Sequence, residues 1–523
     1  MIIDKTVVDY RQPNGQVGKK LLVSYVNKEG TVSFLQYPIQ PQDMFCWKTC
    51  TAAKADPEFY EFDYEKNDYK KDENGNMIKR RWMSYDDKYV ARFPVKELPE
   101  YRLTELLCSF GDRIKEIYEM YPINPLFYDI ETEVKDSVPD PNVADVQINT
   151  IAGVTFPKAI LWSRKPLTEE EMDWIREKVR THSQVHATDP TKRDYTSKYE
   201  VEFRIFDNEH DMLADFVDYC VPIACVCGYN SFGFDNPLLR NRCLKNAVDF
   251  DKISPVHKCF RLNFTPRAGG HKVDVMLPQH KAWGDLLITL RQFYVGPALE
   301  NMTLDFISKT FLSFQKVAHK WTYAEGFDTD RADYCYYNII DTINTELIAK
   351  ETGLLNVWFM LSSILRVNLY DTYSTIRPVE CVMQNFIYKD FKVIPSDKKK
   401  VPENQEEYSG AFVWPSRPQI ARMVGGLDFA SLYPSIIREF NMSPETYKGR
   451  ANDKDDRSDK DLIYTASGVL YERNRSGIIP NILTYYFAQR KQAKNDMKQA
   501  DTEHQYYSDI LEKRLSAAKI DNN

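Results

Sequence analysis

The chain has 523 residues, more than one hydrophobic core organises, so several domains are expected. Hydrophobic residues make up 43% and charged residues 28%, the balance of a soluble globular protein; no apolar run is long enough to span a bilayer, and no signal-peptide layout opens the sequence, so membrane function is excluded and a cytoplasmic location expected. The formal net charge of −7 is neutral evidence on nucleic acid, because a basic groove can coexist with an acidic exterior and metal-holding acids lower the total.

Ten cysteines, among them Cys46/Cys50 and Cys225/Cys227, lack paired CxxC spacing and read as reduced thiols, not zinc ligands. Residues 1–108 alternate short strand-like runs such as KLLVSYV with turn signals, which gives an N-terminal α+β domain. From Leu126 to about 350, strand-like and helix-like segments alternate, the pattern of an α/β core. In FYDIETE at 127–133, strand alternation puts Asp129 and Glu131 on one face, with Tyr128 and Ile130 on the other. Two such carboxylates are costly side by side unless a cation lies between them, although a lone DxE more often marks a solvated edge strand. NSFGFDNPLL at 230–239 places Asp235 near a helix start, and YNIID at 337–341 puts Tyr337 and Asp341 on one helical face, one turn apart. Together the four carboxylates suffice for a two-metal site. FRLNFTPRAGGHKVDV at 260–275 reads as a hairpin turning at Gly269–Gly270, with Arg261, Arg267 and Lys272 available for phosphates.

The helical stretch LLNVWFMLSSILRVNLYDTYSTI leads into KKKVPENQEE at 398–407, which has the composition of a linker. In GLDFASLYPSII at 426–437, MVGGLDF has the content of a short buried strand and LYPSIIREF that of a helix, with Ser431 as N-cap and Pro434 in the first turn. Asp428 then ends the strand, and backbone N–H groups of Ala430, Ser431 and Leu432 point at the phosphates of a nucleoside triphosphate while Asp428 holds its metal ion. An ordinary strand–helix junction is the bland alternative. NDKDDRSDKD at 452–461 reads as a solvated loop. YYFAQRKQAKNDMK at 485–498 places Arg490, Lys494 and Lys498 in one helical stripe, usually just a solvated face.

The run DFASLYPSIIREFNMSPET resembles motif A of B-family DNA polymerases, closest to those of large tailed bacteriophages, and the similarity extends over most of the chain. The order DxE, NxxxFD, YxxxD is similar to that of DEDDy 3′–5′ proofreading exonucleases, and YSGAFV at 408–413 resembles the YxG(G/A) element between exonuclease and polymerase modules. The resemblance implies an α/β multidomain protein: an α+β N-terminal domain at 1–108 with a return segment at about 354–397, a ribonuclease H-like exonuclease at 109–353, a partial palm at 398–475 and part of helical fingers at 476–523. It implies catalytic roles for Asp129, Glu131, Asp235, Tyr337, Asp341 and Asp428, with Tyr337 orienting the attacking water. Triphosphate binding falls to Ser431, Leu432, Tyr433, Arg490 and Lys494, with Tyr433 rejecting the ribonucleotide 2′-hydroxyl. Two Mg²⁺ or Mn²⁺ ions per active site, all five Asp and Glu residues as their ligands, primer-template and single-stranded DNA and deoxynucleoside triphosphates follow as cofactors and partners. The hairpin at 260–275 resembles the phage hairpin that helps separate primer from template, and a plain surface hairpin accounts for it equally well.

DTDR at 328–331 is similar to the DTDS of motif C, yet lacks the Ser, precedes the polymerase region and reads as a loop. Neither the KxxxNSxYG helix of motif B nor the DTDS of motif C is found, nor anything that reads as a thumb. The expectation is therefore a polymerase cut between its fingers helices, by a split gene or a truncation, completed by a second polypeptide carrying motifs B and C and the thumb, with a sliding clamp reached through that partner. The apolar positions Tyr506, Ile510 and Leu515 of this chain's own fingers segment are expected to be partly exposed alone and to bury on association, and the expected location is the cytoplasm of an infected bacterial cell. The competing readings are a free-standing exonuclease with a vestigial polymerase segment and a non-catalytic nucleic-acid-binding regulator.

Overall fold

The computed structural model describes residues 2–11, 17–49, 90–98, 100–107, 121–134, 139–266, 272–314, 319, 321–374, 376–389, 431–451 and 459–499, with isolated positions among 59–84, 110–113 and 392–429. The chain divides into two compact units: Met1–Gln40 with Leu103–Cys381 and Ala493–Asp521, and Pro41–Arg102 with Val382–Gln492 and Asn522–Asn523. The expected linker at 398–407, YSGAFV at 408–413 and positions 506, 510 and 515 lie outside the described residues.

In the first unit, β1 (Ile2–Arg11), β2 (Val17–Val26) and β3 (Val32–Ile39) form an antiparallel sheet in that order. The buried imidazole of His280 meets it, with Nε2 3.0 Å from Thr6 Oγ1 and Nδ1 2.9 Å from Ser24 Oγ.

The centre of this unit is a mixed sheet of β4 (Leu126–Thr132), β5 (Ile148–Thr155), β6 (Lys158–Ser163), β7 (Glu200–Ile205), β8 (Cys225–Gly228) and β11 (Ala282–Asp285), in the spatial order β7-β6-β5-β4-β8-β11. β4, β5 and β6 are an antiparallel meander; β7 runs parallel to β6, β8 to β4, and β11 to β8. A parallel step needs a crossover, and α1 (Glu169–His186) supplies the one between β6 and β7. Thr168 and Glu171 start α1 with a capping box, and three glutamates in its first turn complement the helix dipole. β5 is buried on both faces along all but its last residue, and the polar Asn149 and Thr150 lie within that buried run. At the end of β8 a Cβ on Gly228 would lie 2.7 Å from Ser231 Cβ and 3.0 Å from the Tyr128 carbonyl, so the backbones of β8 and β4 approach this closely only with glycine there.

α2 (Glu209–Cys220) and α3 (Asp235–Lys245) flank β8, and the buried Glu209 carboxylate joins them by accepting from Arg242 Nε at 2.8 Å and from Ile148 N at 2.8 Å. β9 (Cys259–Phe264) and β10 (Val273–Pro278) form the expected hairpin, closing at Phe264 opposite Val273; residues 267–271 of its turn lie outside the described residues. Arg261 is bonded to Asp274 across it, at 2.6 Å and 2.5 Å. α4 (Leu286–Phe293) follows β11 directly. α5 (Arg331–Thr352) is buried along most of its length and carries its own polar ties: Tyr334 donates to the Thr132 carbonyl at 3.1 Å, and Glu346 accepts from Phe156 N at 3.2 Å. The DTDR segment is not the expected loop. Residues Gly326–Thr329 form a short helix and Asp330 caps α5 by accepting from Asp333 N, because an acidic residue ahead of an apolar run is a helix start. α6 (Leu354–Leu365) ends at Arg366.

In the second unit, α7 (Leu432–Glu439), the sheet β12 (Tyr447–Arg450), β14 (Val469–Glu472) and β13 (Leu462–Tyr464), and α8 (Ile478–Gln499) as far as Gln492 are described; the last residues of α8 are counted with the first unit. Asn441, at φ +51°, ties α7 to the start of α8: Nδ2 donates to the carbonyls of Glu472 at 2.6 Å and Arg475 at 2.7 Å, and Oδ1 accepts from Gly477 N at 2.8 Å. The buried strand expected before α7 is not observed. Met423, Gly425, Gly426, Asp428 and Phe429 are exposed and outside any strand, since a strand needs a paired neighbour and none is present among the described residues. Ser431 does occupy the N-cap position, but in a left-handed conformation at φ +53° and without a side-chain cap bond.

Candidate active site

Three segments remote in sequence converge on β4, an interior strand of the mixed sheet. β4 presents Asp129 and Glu131, both half-buried, between the buried Tyr128, Ile130 and Thr132, as two-residue alternation requires, and its register with β5 shifts between Glu131 and Thr132. Asp235 is the first residue of α3 and is buried; backbone hydrogen bonds from Ile130 and from its own N–H reach its carboxylate. α5 brings Tyr337 and Asp341, one turn apart, and between them Asn338, whose Nδ2 donates to Asp129 Oδ2 at 2.8 Å. Asn338 Oδ1 accepts from Thr150 Oγ1 at 3.1 Å, so its orientation is set from β5.

The electrostatics follow from burial and like charge. Desolvation, then the neighbouring Asp235, Glu131 and Asp341, hold the Asp129 carboxyl well above the usual range, against the Asn338 hydrogen bond that lowers it. Asp235 is pushed up to about 7, first by burial and then by Asp285, against its backbone hydrogen bonds. The Tyr337 phenol is raised by burial and by Asp341, and its oxygen lies 3.3 Å from that of Tyr323. Tyr337 is thus a neutral hydrogen-bonding group throughout the physiological range.

Mutual repulsion in a buried all-oxygen donor set is the condition that a hard divalent cation relieves, so the carboxylates fit Mg²⁺ or Mn²⁺ in kind. As they stand, no three His, Cys, Asp or Glu side chains among the described residues close on one metal-sized position. The cysteines at 220, 225, 227, 243, 259, 335 and 381 are free thiols.

Two supporting residues escaped the sequence reading. Asn338 lies inside YNIID, and its neighbours were the available signal. Asp285 is buried at the end of β11, where its Oδ1 accepts from Asn230 N at 3.1 Å and Ile288 N at 3.2 Å and its Oδ2 from Phe232 N at 2.9 Å. An Asp before LLITL signals a helix cap and nothing more.

In the second unit, Asp428 is exposed, Tyr433 is 75% exposed and Leu432 42% exposed. Arg490 of α8 reaches α7, its Nη1 3.5 Å from Ser431 Oγ, and Arg438 of α7 donates to Thr484 Oγ1 at 3.1 Å. Lys494, one turn beyond Arg490 on the same helix but past the bounds of the second unit, is exposed, and the side chain of Lys498 lies outside the described residues. Among the described residues no helix is long and apolar enough to cross a membrane.

Residues 75–271 match the family model for the exonuclease domain of DNA polymerase family B, and residues 365–523 that for DNA polymerase family B itself. Tyr337 and Asp341 fall between the two matched ranges. The DNA-directed DNA polymerase of Escherichia phage RB69 is 24% identical over 438 residues, 79% of this chain and 46% of that protein. That of Enterobacteria phage T4 is 26% identical over 309 residues, 56% of this chain and 33% of that protein. A DNA polymerase of Archaeoglobus fulgidus is 27% identical over 329 residues, 62% of this chain and 38% of that protein. The chain spans less than half the length of each of these relatives. With residues 75–271 and 365–523 together matching two models of that family over more than half of its length, the chain belongs to the B family of DNA polymerases.

Proposed function

We propose that residues 109–353 form a ribonuclease H-like exonuclease that shortens single-stranded DNA from its 3′ end. The observation that carries this reading is the convergence of Asp129, Asp235 and the Asn338-bearing turn of α5 across more than 200 residues of sequence, with the Asn338–Asp129 hydrogen bond tying α5 to β4. The antiparallel meander β4-β5-β6 continued by the parallel strands β8 and β11 supports the ribonuclease H-like assignment.

In this reading Asp129, Glu131, Asp235 and Asp341 hold two divalent ions. When bound, the ions supply Lewis-acid stabilisation of the charge that builds on the scissile phosphate. Asp129 and Asp235 must be ionised to serve, and their surroundings resist that in the absence of a cation. Tyr337 keeps its proton and orients the attacking water by hydrogen bonding, without acting as a phenolate base. The experiment is digestion of a 5′-labelled oligonucleotide by the purified chain in Mg²⁺ or Mn²⁺. A ladder shortening from the 3′ end, lost in Asp129→Ala/Glu131→Ala, is expected; intact oligonucleotide would refute the reading.

For the second unit we infer the motif A side of a nucleotidyltransferase site, with Asp428 a metal ligand and Ser431, Leu432, Tyr433, Arg490 and Lys494 around the triphosphate. The closeness of Arg490 to Ser431 and the family match over 365–523 support it. Two-metal phosphoryl transfer needs a carboxylate facing Asp428, which a segment bearing motifs B and C would bring, whether on a second polypeptide or in one longer chain. Mixing the chain with such a segment should restore primer extension, with Asp428→Ala abolishing synthesis and sparing the exonuclease, and Tyr433→Ala admitting ribonucleotides. Failure of every such mixture would favour a vestigial polymerase segment.

A further inference from the structure

The loop that delivers Asp235 runs from the end of β8 at Gly228 to the start of α3. It contains Asn230 at φ +59°, a strained position for a non-glycine residue, and it has no side-chain cap at Phe234, just before Asp235. Something must hold this loop, because Asp235 is aimed by the backbone that precedes it. β11, parallel to β8 with Gly228 opposite Asp285, ends beside the loop. Its last carboxylate, on Asp285, accepts the N–H groups of Asn230 at 3.1 Å and Phe232 at 2.9 Å while also capping α4 through Ile288 N at 3.2 Å. Ser231, between those two residues, donates to the Gly284 carbonyl at 3.2 Å, so three successive loop residues are fastened to the end of one strand.

We propose that Asp285 is a positioning residue for the exonuclease site: it clamps the 230–232 loop so that Asp235 faces the β4 acids. It does not reach the scissile phosphate. Each carboxylate oxygen accepts a loop amide, and the carboxylate is 1% exposed, with the six-stranded sheet on one side and α4 on the other. A neutral amide in its place can accept through one atom, and its NH₂ meets a backbone donor at the other.

This inference rests on the exonuclease reading, and the test separates the two. The full chain carrying Asp285→Asn, and separately Asp285→Thr, which keeps an oxygen to cap α4 but cannot span both loop amides, is titrated with Mn²⁺ by the loss of the free-ion electron paramagnetic resonance signal. Single-stranded oligonucleotide affinity is measured in EDTA by fluorescence anisotropy, and circular dichroism checks the fold. Loss of an outer-shell partner predicts about 10- to 100-fold weaker Mn²⁺ binding and a parallel fall in cleavage, with EDTA-state DNA affinity and the dichroism spectrum unchanged. Wild-type Mn²⁺ affinity in either folded variant would overturn the clamp. Unfolding of both variants would overturn it as well, since Asp285 would then hold the domain together and not the site. A wild-type chain that binds no Mn²⁺ and leaves DNA intact would overturn the exonuclease reading itself.

Discussion

Replacing Asn338 by leucine, nearly its isostere, deletes the donor to Asp129 Oδ2 at 2.8 Å and the acceptor of the Thr150 hydroxyl at 3.1 Å without opening a cavity. A hydrogen bond to a charged group contributes roughly 1.5–3 kcal/mol. Asp129 already resists ionisation because of burial and three acidic neighbours, and the Asn338 bond is what opposes them. Without it the ionised, metal-holding form becomes rarer, so cleavage at neutral pH should fall by about ten- to a hundredfold, the range that 1.5–3 kcal/mol spans. The sign of the pH effect is fixed: a carboxyl pushed further up needs higher pH to ionise, so the acidic limb of the rate profile moves to higher pH and the deficit shrinks as pH rises. The assay is single-turnover digestion of a 5′-labelled oligonucleotide from pH 6 to 9 at fixed Mg²⁺, with circular dichroism confirming the fold. A folded Asn338→Leu protein with the wild-type profile would refute the role, and an equal deficit at every pH would show that Asn338 sets position alone.

Three other outcomes are expected. Tyr337→Phe should slow cleavage while leaving Mn²⁺ affinity near the wild-type value, whereas Asp341→Ala should weaken both; loss of metal binding in the Phe variant would show that the phenol is needed to hold the ion. Asp235 is pushed up to about 7 and Asp285 to about 6, so between about pH 4 and 7 the unfolded chain holds fewer protons than the native one. Metal-free stability should therefore fall as pH rises through this window, and saturating Mg²⁺ at pH 7 should oppose the fall; a thermal midpoint in EDTA that climbs steadily over the same window would contradict it. Arg242→Met strands the buried Glu209 carboxylate without its guanidinium and should cost about 3–5 kcal/mol in urea unfolding, and an unchanged midpoint would mean that Ile148 N and Asn246 Nδ2 suffice as its partners.

Local periodicity carried part of the site into the sequence. Asp129 and Glu131 share a face because a strand alternates, and Tyr337 and Asp341 share one because a helix repeats every 3.6 residues; no distant residue is needed to know either. The start of α3 at Asp235 and the strands of the 259–278 hairpin were legible for the same reason. Contacts made by packing were not. Asn338 matters because α5 crosses β4 and β5, which lie about 200 residues earlier, and Asp285 matters because β11 pairs with β8 across more than 50 residues. The strand expected from MVGGLDF failed on the same ground: apolar and glycine content permits a strand, but a paired neighbour makes one, and the exposed Met423 and Phe429 have none among the described residues. Side-chain spacing along one element is a property of the chain, whereas the partner that orients a carboxylate or completes a ladder is chosen by tertiary packing.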